Sequence, residues 1–174
     1  MIKLLRCKIC GDPYVGLAAP SRCPFCGAFQ NFIIEAKDYA ETFDVELTEQ
    51  DRANAEHALQ VELSNSSFYA CAAAKTNDPE SAQLFKALKK IEAEHASIWR
   101  KILKLKSEDL PKLDESCSIE NKDNLKEASE RESRAIEFYK KAAQESEHPR
   151  LKQLFGALVQ IEQDHLELDA ERMN

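Results

Sequence analysis

The sequence predicts a mainly α-helical chain: a four-helix bundle of two hairpins joined by a long crossover, preceded by a small β module built around four cysteines. Three observations predict it. The pattern Gln-Leu-Phe-x-Ala-Leu-x-x-Ile-Glu-x-x-His occurs twice, at residues 83–95 and 153–165. Apolar residues recur at helical spacing around each copy, and the runs are broken at Asn77-Asp78-Pro79 and His148-Pro149. Cys7, Cys10, Cys23 and Cys26 form two Cys-x-x-Cys-Gly knuckles near the start of the chain.

Composition narrows the function classes. Hydrophobic residues are 43% and charged residues 32%, as in a soluble helical protein, and only four glycines and six prolines argue against a turn-rich all-β fold. A net charge of −7 opposes nucleic acid or an anionic membrane as partner, since both need a basic footprint. No apolar run is long enough to cross a bilayer. The first residues are too poor in apolar side chains for a secretory signal, so the expected location is the cytoplasm. There, closely spaced cysteines suggest metal or redox chemistry more than disulfides.

The first module spans residues 1–37. In each knuckle the glycine, Gly11 or Gly27, permits the positive φ that a tight turn needs, and backbone amides can then point at the sulfurs. Two facing knuckles make a tetrahedral four-thiolate site, suited to zinc or iron. From spacing alone a zinc ribbon fits as well as iron. Short strands are expected at residues 2–5 and 31–35. The module is too small to fold on its own core, so the metal should supply much of its stability. A linker is expected over residues 38–47.

The helical domain spans residues 48–174. Thr48 with Asp51 reads as a helix start of the capping type. Helices are expected over residues 49–75, 80–105, about 121–146 and 150–173, with residues 106–121 as the long connection. Two tight hairpins with a long crossover have the connectivity of a ferritin-like bundle. The hairpins are an internal repeat offset by 70 residues. Extended upstream, the offset matches Glu62, Phe68-Tyr69, Ala72-Ala73 and Pro79 with Glu132, Phe138-Tyr139, Ala142-Ala143 and Pro149.

Packing explains most of the repeated positions but not the glutamates. The inward stripe of the second helix reads Leu84, Leu88, Ile91, His95, Ile98 and Ile102, with Glu92 beside it; that of the fourth reads Leu154, Leu158, Ile161, His165 and Leu168, with Glu162 beside it. Glu62 and Glu132 face inward from the first and third helices. Each lies 30 residues before its hairpin's Glu-x-x-His glutamate, so all four acids can meet at one height. Four buried carboxylates would repel one another or take up protons; two metal ions resolve the conflict. Glu-x-x-His pairs are a feature of di-metal carboxylate bundles. Tyr69 and Tyr139, two turns after Glu62 and Glu132, read either as core or as hydroxyls bonded to a metal carboxylate. His57 and His148 read as surface residues, Cys71 as a small core residue and Cys117 as a lone loop thiol.

With these residues the chain resembles the rubrerythrins, which join a ferritin-like di-iron bundle to a rubredoxin-like iron site. Glu62, Glu92, His95, Glu132, Glu162 and His165 look like the family's di-iron set, and Cys7, Cys10, Cys23 and Cys26 match its rubredoxin-like module. The module here precedes the bundle, as in reversed-order members. At the position of the extra carboxylate of rubrerythrins proper stands Ala135, with Asn65 as its repeat mate.

The resemblance implies a non-haem di-iron peroxidase that reduces hydrogen peroxide to water. Tyr69 and Tyr139 would lie just outside the ligands. Iron in the four-cysteine site would relay electrons from an external reductase or donor protein. Within one chain the module is expected to lie far from the bundle core. The resemblance accordingly implies a homodimer in which one subunit's module approaches the other's di-iron site. Two other readings stay open: a ferritin-like protein that oxidises Fe(II) with dioxygen, and a zinc-knuckle scaffold.

Overall fold

The computed structural model describes residues 1–173. Four helices dominate: α1 Glu49–Lys75, α2 Pro79–Ile102, α3 Asn121–Glu145 and α4 Pro149–Met173. Thr48 and Asp51 start α1 with a reciprocal capping box. Asp78 caps α2 through Ser81 N–H, and Pro79 occupies the first turn, where its missing N–H costs nothing. α2 stops three residues short of the expected end. Lys104 takes a left-handed φ of 57°, and Leu105 N–H turns back to the Arg100 carbonyl.

The module is a three-stranded antiparallel sheet of β1 (Lys3–Cys7), β2 (Pro13–Gly16) and β3 (Ile33–Glu35), in the order β2-β1-β3. Sequence reading missed β2, four residues opening on a proline with alternate side chains exposed. It pairs Leu5 with Tyr14 across a tight turn. The expected strand at residues 31–35 shortens, because residues Gln30–Phe32 form a 3-10 turn.

α1 packs on α2 and α3 on α4, and α1 borders α3. The stripes differ in detail from those expected. Phe85 and Trp99 on α2 and Phe155 on α4 are fully buried, whereas Leu84, Ile91 and Leu168 are only half-buried. The helices turn Glu92 and Glu162 to the centre of the stripe rather than beside it. Trp99 stacks on Phe155 and Tyr139 at one end of the interior; Tyr69 stacks on Phe85 at the other.

Two expectations are corrected. Cys71 is not simply a core residue, nor Cys117 a lone thiol: they form a disulfide across 46 residues that ties the crossover to α1. Spacing could not reveal a bond between a helix and an irregular loop. The module does not lie far from the bundle of its own chain. Ile9, Phe43 and Val45 share one core with residues of α1, α2 and α4, so residues 38–47 pack rather than merely connect. Arg150 Nη2 donates to the Ile9 carbonyl (3.3 Å), Lys101 Nζ to the Cys10 carbonyl (2.9 Å), and Arg22 pairs with Asp164 (2.7 Å).

Candidate metal centres

Two clusters emerge from this packing. In the first, the four cysteine side chains are buried, and Gly11 and Gly27 carry the knuckle turns at φ of 87° and 76°. Cys7 Sγ lies 3.8 Å from Cys26 Sγ, and Cys10 Sγ 3.8 Å from Cys23 Sγ. That is far too long for a disulfide. It is the edge of a tetrahedron whose centre lies about 2.3 Å from each sulfur, the usual metal–thiolate distance. Ile9 and Asp12 N–H groups point at Cys7 and Cys10 sulfurs (3.4 and 3.5 Å). Hydrogen bonds among the thiols push Cys10 up and pull Cys23 down, the conflict of thiolates crowded together that a cation would relieve.

The second cluster lies in the bundle interior. Glu62 on α1, Glu92 and His95 on α2, Glu132 on α3, and Glu162 and His165 on α4 all converge there. The first five are fully buried and His165 is 5% exposed. They fall into two overlapping sets: Glu62, Glu92, His95 and Glu162, and Glu92, Glu132, Glu162 and His165. Glu92 and Glu162 belong to both. Each set therefore has one imidazole, one carboxylate of its own and two shared carboxylates.

Atom by atom, most donors aim at common points rather than at each other; His165 Nδ1, 2.9 Å from Glu162 Oε2, is the exception. His95 Nδ1 lies 3.3–3.5 Å from Glu62, Glu92 and Glu162 oxygens yet makes no hydrogen bond. Glu62 Oε2, Glu132 Oε2, Glu162 Oε1 and both Glu92 oxygens are likewise buried without a partner. An unsatisfied buried carboxylate is costly, and orphans concentrated in one place are what cations could satisfy. Burial pushes the Glu62 and Glu132 carboxyls well above the usual range, helped by Glu92 and Glu162 respectively. Burial acts alike on Glu92 and Glu162, but the closeness of the His165 and His95 imidazoles outweighs it and holds both low.

The tyrosines cross over. Tyr69 of α1 donates to Glu132 Oε1 of α3, and Tyr139 of α3 donates to Glu62 Oε1 of α1. Each hydroxyl fixes one oxygen of an unshared glutamate and leaves the other facing the cluster. Asp169, missed by sequence reading, is fully buried, has both oxygens unpartnered, and is pushed up to about 7 by burial. It follows His165 by one turn, at the position that Trp99 holds in the other hairpin. An acid on the inward stripe was the available signal. Asn65 and Ala135, one turn after Glu62 and Glu132, border a cavity of about 240 Å³ with Val61, Arg131 and Phe138. His57 is exposed there, and His148 is half-buried beyond the end of α3.

The clusters touch. His95 Nε2 lies 2.9 Å from the Cys26 carbonyl oxygen. With that nitrogen as donor, Nδ1 is left as a lone pair facing the carboxylates.

A ferritin-like helical bundle with such a carboxylate–histidine interior, carrying a four-cysteine module, defines the class, and the chain belongs to the rubrerythrin family, whose model matches residues 54–171. It is similar to reverse rubrerythrin-1 of Clostridium acetobutylicum, 32% identical over 117 residues. That match covers 59% of this chain and 62% of the relative, so the chain spans less than two thirds of the curated protein it matches. The four-cysteine module ahead of the bundle fits the reversed order in that name. No solved structure matches. Membership implies iron, and both clusters have donors suited to it.

Proposed function

We propose that the protein is a di-iron oxidoreductase that reduces hydrogen peroxide to water with electrons relayed through iron in the four-cysteine site. The observation that carries this reading is the contact between Cys26 and His95, which joins a redox-suited thiolate cluster to a carboxylate–imidazole cluster through one hydrogen bond. Held by the six interior residues, a pair of irons would supply the two electrons that cleavage of one peroxide consumes; two protons complete two waters.

The chain's own residues set the conditions. Glu92 and Glu162, common to both donor sets, would each serve both metal positions. Tyr69 and Tyr139 keep Glu132 and Glu62 oriented, so each offers one oxygen inward. Trp99, Phe155 and Phe85 exclude bulk water and strengthen electrostatic interactions inside. Because His95 meets Cys26 of its own chain, the relay needs no second subunit. An external donor protein would refill it.

The second reading is oxidation of Fe(II) with dioxygen. Ala135, where rubrerythrins proper carry a further carboxylate, favours it. Two measurements test both. Iron-supplemented protein should hold three irons per chain and show the red absorption of ferric thiolate; two irons and no colour would sink the relay. Stopped-flow mixing of reduced protein should show the bundle centre oxidised faster by peroxide than by dioxygen. The reverse order would favour the second reading.

A further inference from the structure

The four sulfurs are buried, so an electron donor must approach at a place where the knuckles reach the surface. The second knuckle does so. Phe25, between Cys23 and Cys26, is 39% exposed, and Pro24 beside it is exposed too. These two residues form one wall of a groove of about 590 Å³, whose other wall is the outer face of α2. Lys86, Lys89 and Lys90 line that wall, and all three are exposed. None of the three ammonium groups pairs with a carboxylate among the described residues. Among the described residues the only acid lining the groove is Glu94, partly buried and 3.9 Å from Lys101 Nζ. A chain of net charge −7 thus concentrates three unpaired positive charges beside its metal-bearing knuckle.

We propose that this groove is the docking site of an acidic electron-donor protein, which delivers electrons through the second knuckle. The inference rests on the iron-relay reading above. Charge complementarity selects the occupant: an acidic surface is repelled by most of the chain and attracted here. The exposed aromatic ring and proline give a small apolar centre for contact, and the lysines form the charged rim that steers encounter. On docking, the donor loses one electron and the iron held by Cys7, Cys10, Cys23 and Cys26 passes from ferric to ferrous. No proton or bond need move.

The test compares two reductants of the full-length, iron-loaded protein: a reduced acidic flavodoxin and reduced methyl viologen, a small cation. The readout is bleaching of the ferric-thiolate absorption. The variant Lys86→Glu/Lys89→Glu/Lys90→Glu should be reduced by flavodoxin about tenfold more slowly or worse, the scale of electrostatic steering, and by viologen no more slowly. Reversing Lys122, Lys126 and Lys140 on α3 changes net charge equally and should leave the flavodoxin rate within about twofold, because long-range charge is screened.

A second arm needs no electron transfer. Zinc-loaded protein titrated with flavodoxin should show amide shifts centred on Phe25, Lys86, Lys89 and Lys90. Equal slowing by both triple variants, or shifts centred elsewhere, overturns the docking site. So does a groove that instead joins two copies of the chain, seen as a dimer that the α2 variant dissociates. A red, reducible protein without groove-specific effects loses the docking site and keeps the relay. A colourless iron-loaded protein loses the relay, and the zinc arm still decides the docking surface.

Discussion

At the scale of single residues, Tyr69 and Tyr139 tie the two halves of the interior cluster together. Each spends its hydroxyl on a glutamate of the opposite hairpin. Tyr139→Phe keeps the ring in the aromatic stack with Trp99 and Phe155 but frees a buried oxygen of Glu62. It should cost about 1–3 kcal/mol of apoprotein stability in chemical denaturation and lower iron affinity about 10- to 100-fold by titration. An unchanged affinity would make the hydroxyl mere packing. The two kinds of glutamate should differ as well. Glu62→Gln should remove one bundle iron per chain by metal analysis; Glu92→Gln, at a shared position, should weaken both. Equal losses would contradict the overlapping sets. The six converging residues were legible because a duplication kept glutamates where packing wanted apolar side chains. Asp169 was not, since comparison at the repeat offset rewards identity and its mate is Trp99.

At the scale of elements, the helices were legible almost to the residue, because capping residues and prolines punctuate them. The end of α2 was not: Lys104 in a left-handed turn is an L-residue doing what glycine does more readily, and nothing in its identity announces that. The crossover hid most. Residues 103–120 carry no periodicity, yet they are fastened along one face of α1. Ser64 donates to Glu115 (2.7 Å), Ser67 to the Leu113 carbonyl (2.8 Å), Lys75 to the Cys117 carbonyl (3.3 Å), and Cys71 bonds to Cys117. Positions 64, 67, 71 and 75 are one helical stripe on the outer side of α1, and nothing in their spacing marks a partner for them; sequence reading places only Cys71, as a small core residue. Closing a loop of this length is worth up to about 4 kcal/mol on chain-entropy grounds. Cys71→Ser should therefore lower the denaturation free energy of oxidised protein by a few kcal/mol and have little effect under reducing conditions. Equal stability of both proteins under oxidising conditions would mean that the serine and lysine contacts alone hold the crossover.

For the whole molecule, the question is whether the module and the bundle are one cooperative unit. A module of so few residues would ordinarily need a metal to fold, yet this one shares a core with the bundle and its Cys26 carbonyl lies against His95. Gly27 fixes the closeness of approach: a Cβ there would stand 3.1 Å from Ile161 Cγ2, at a φ that side chains rarely adopt. The coupling should run in one direction more strongly than the other. Replacing Cys10 and Cys23 by serine removes two of the four thiolates and should abolish metal binding by the module. Hydrogen exchange should then rise throughout residues 3–35, while α1 to α4, joined by their own aromatic interior and crossover, keep most of their protection. The bundle should still pay one local cost. His95 loses the acceptor that holds its ring, so iron affinity in the bundle should fall about tenfold, as for other supports of a ligand imidazole. Exchange on residues 3–35 and iron titration of the bundle are independent readouts. A module that unravels while the bundle binds iron as tightly as before would show that Cys26 merely touches His95, and the proposed relay would lose its structural joint.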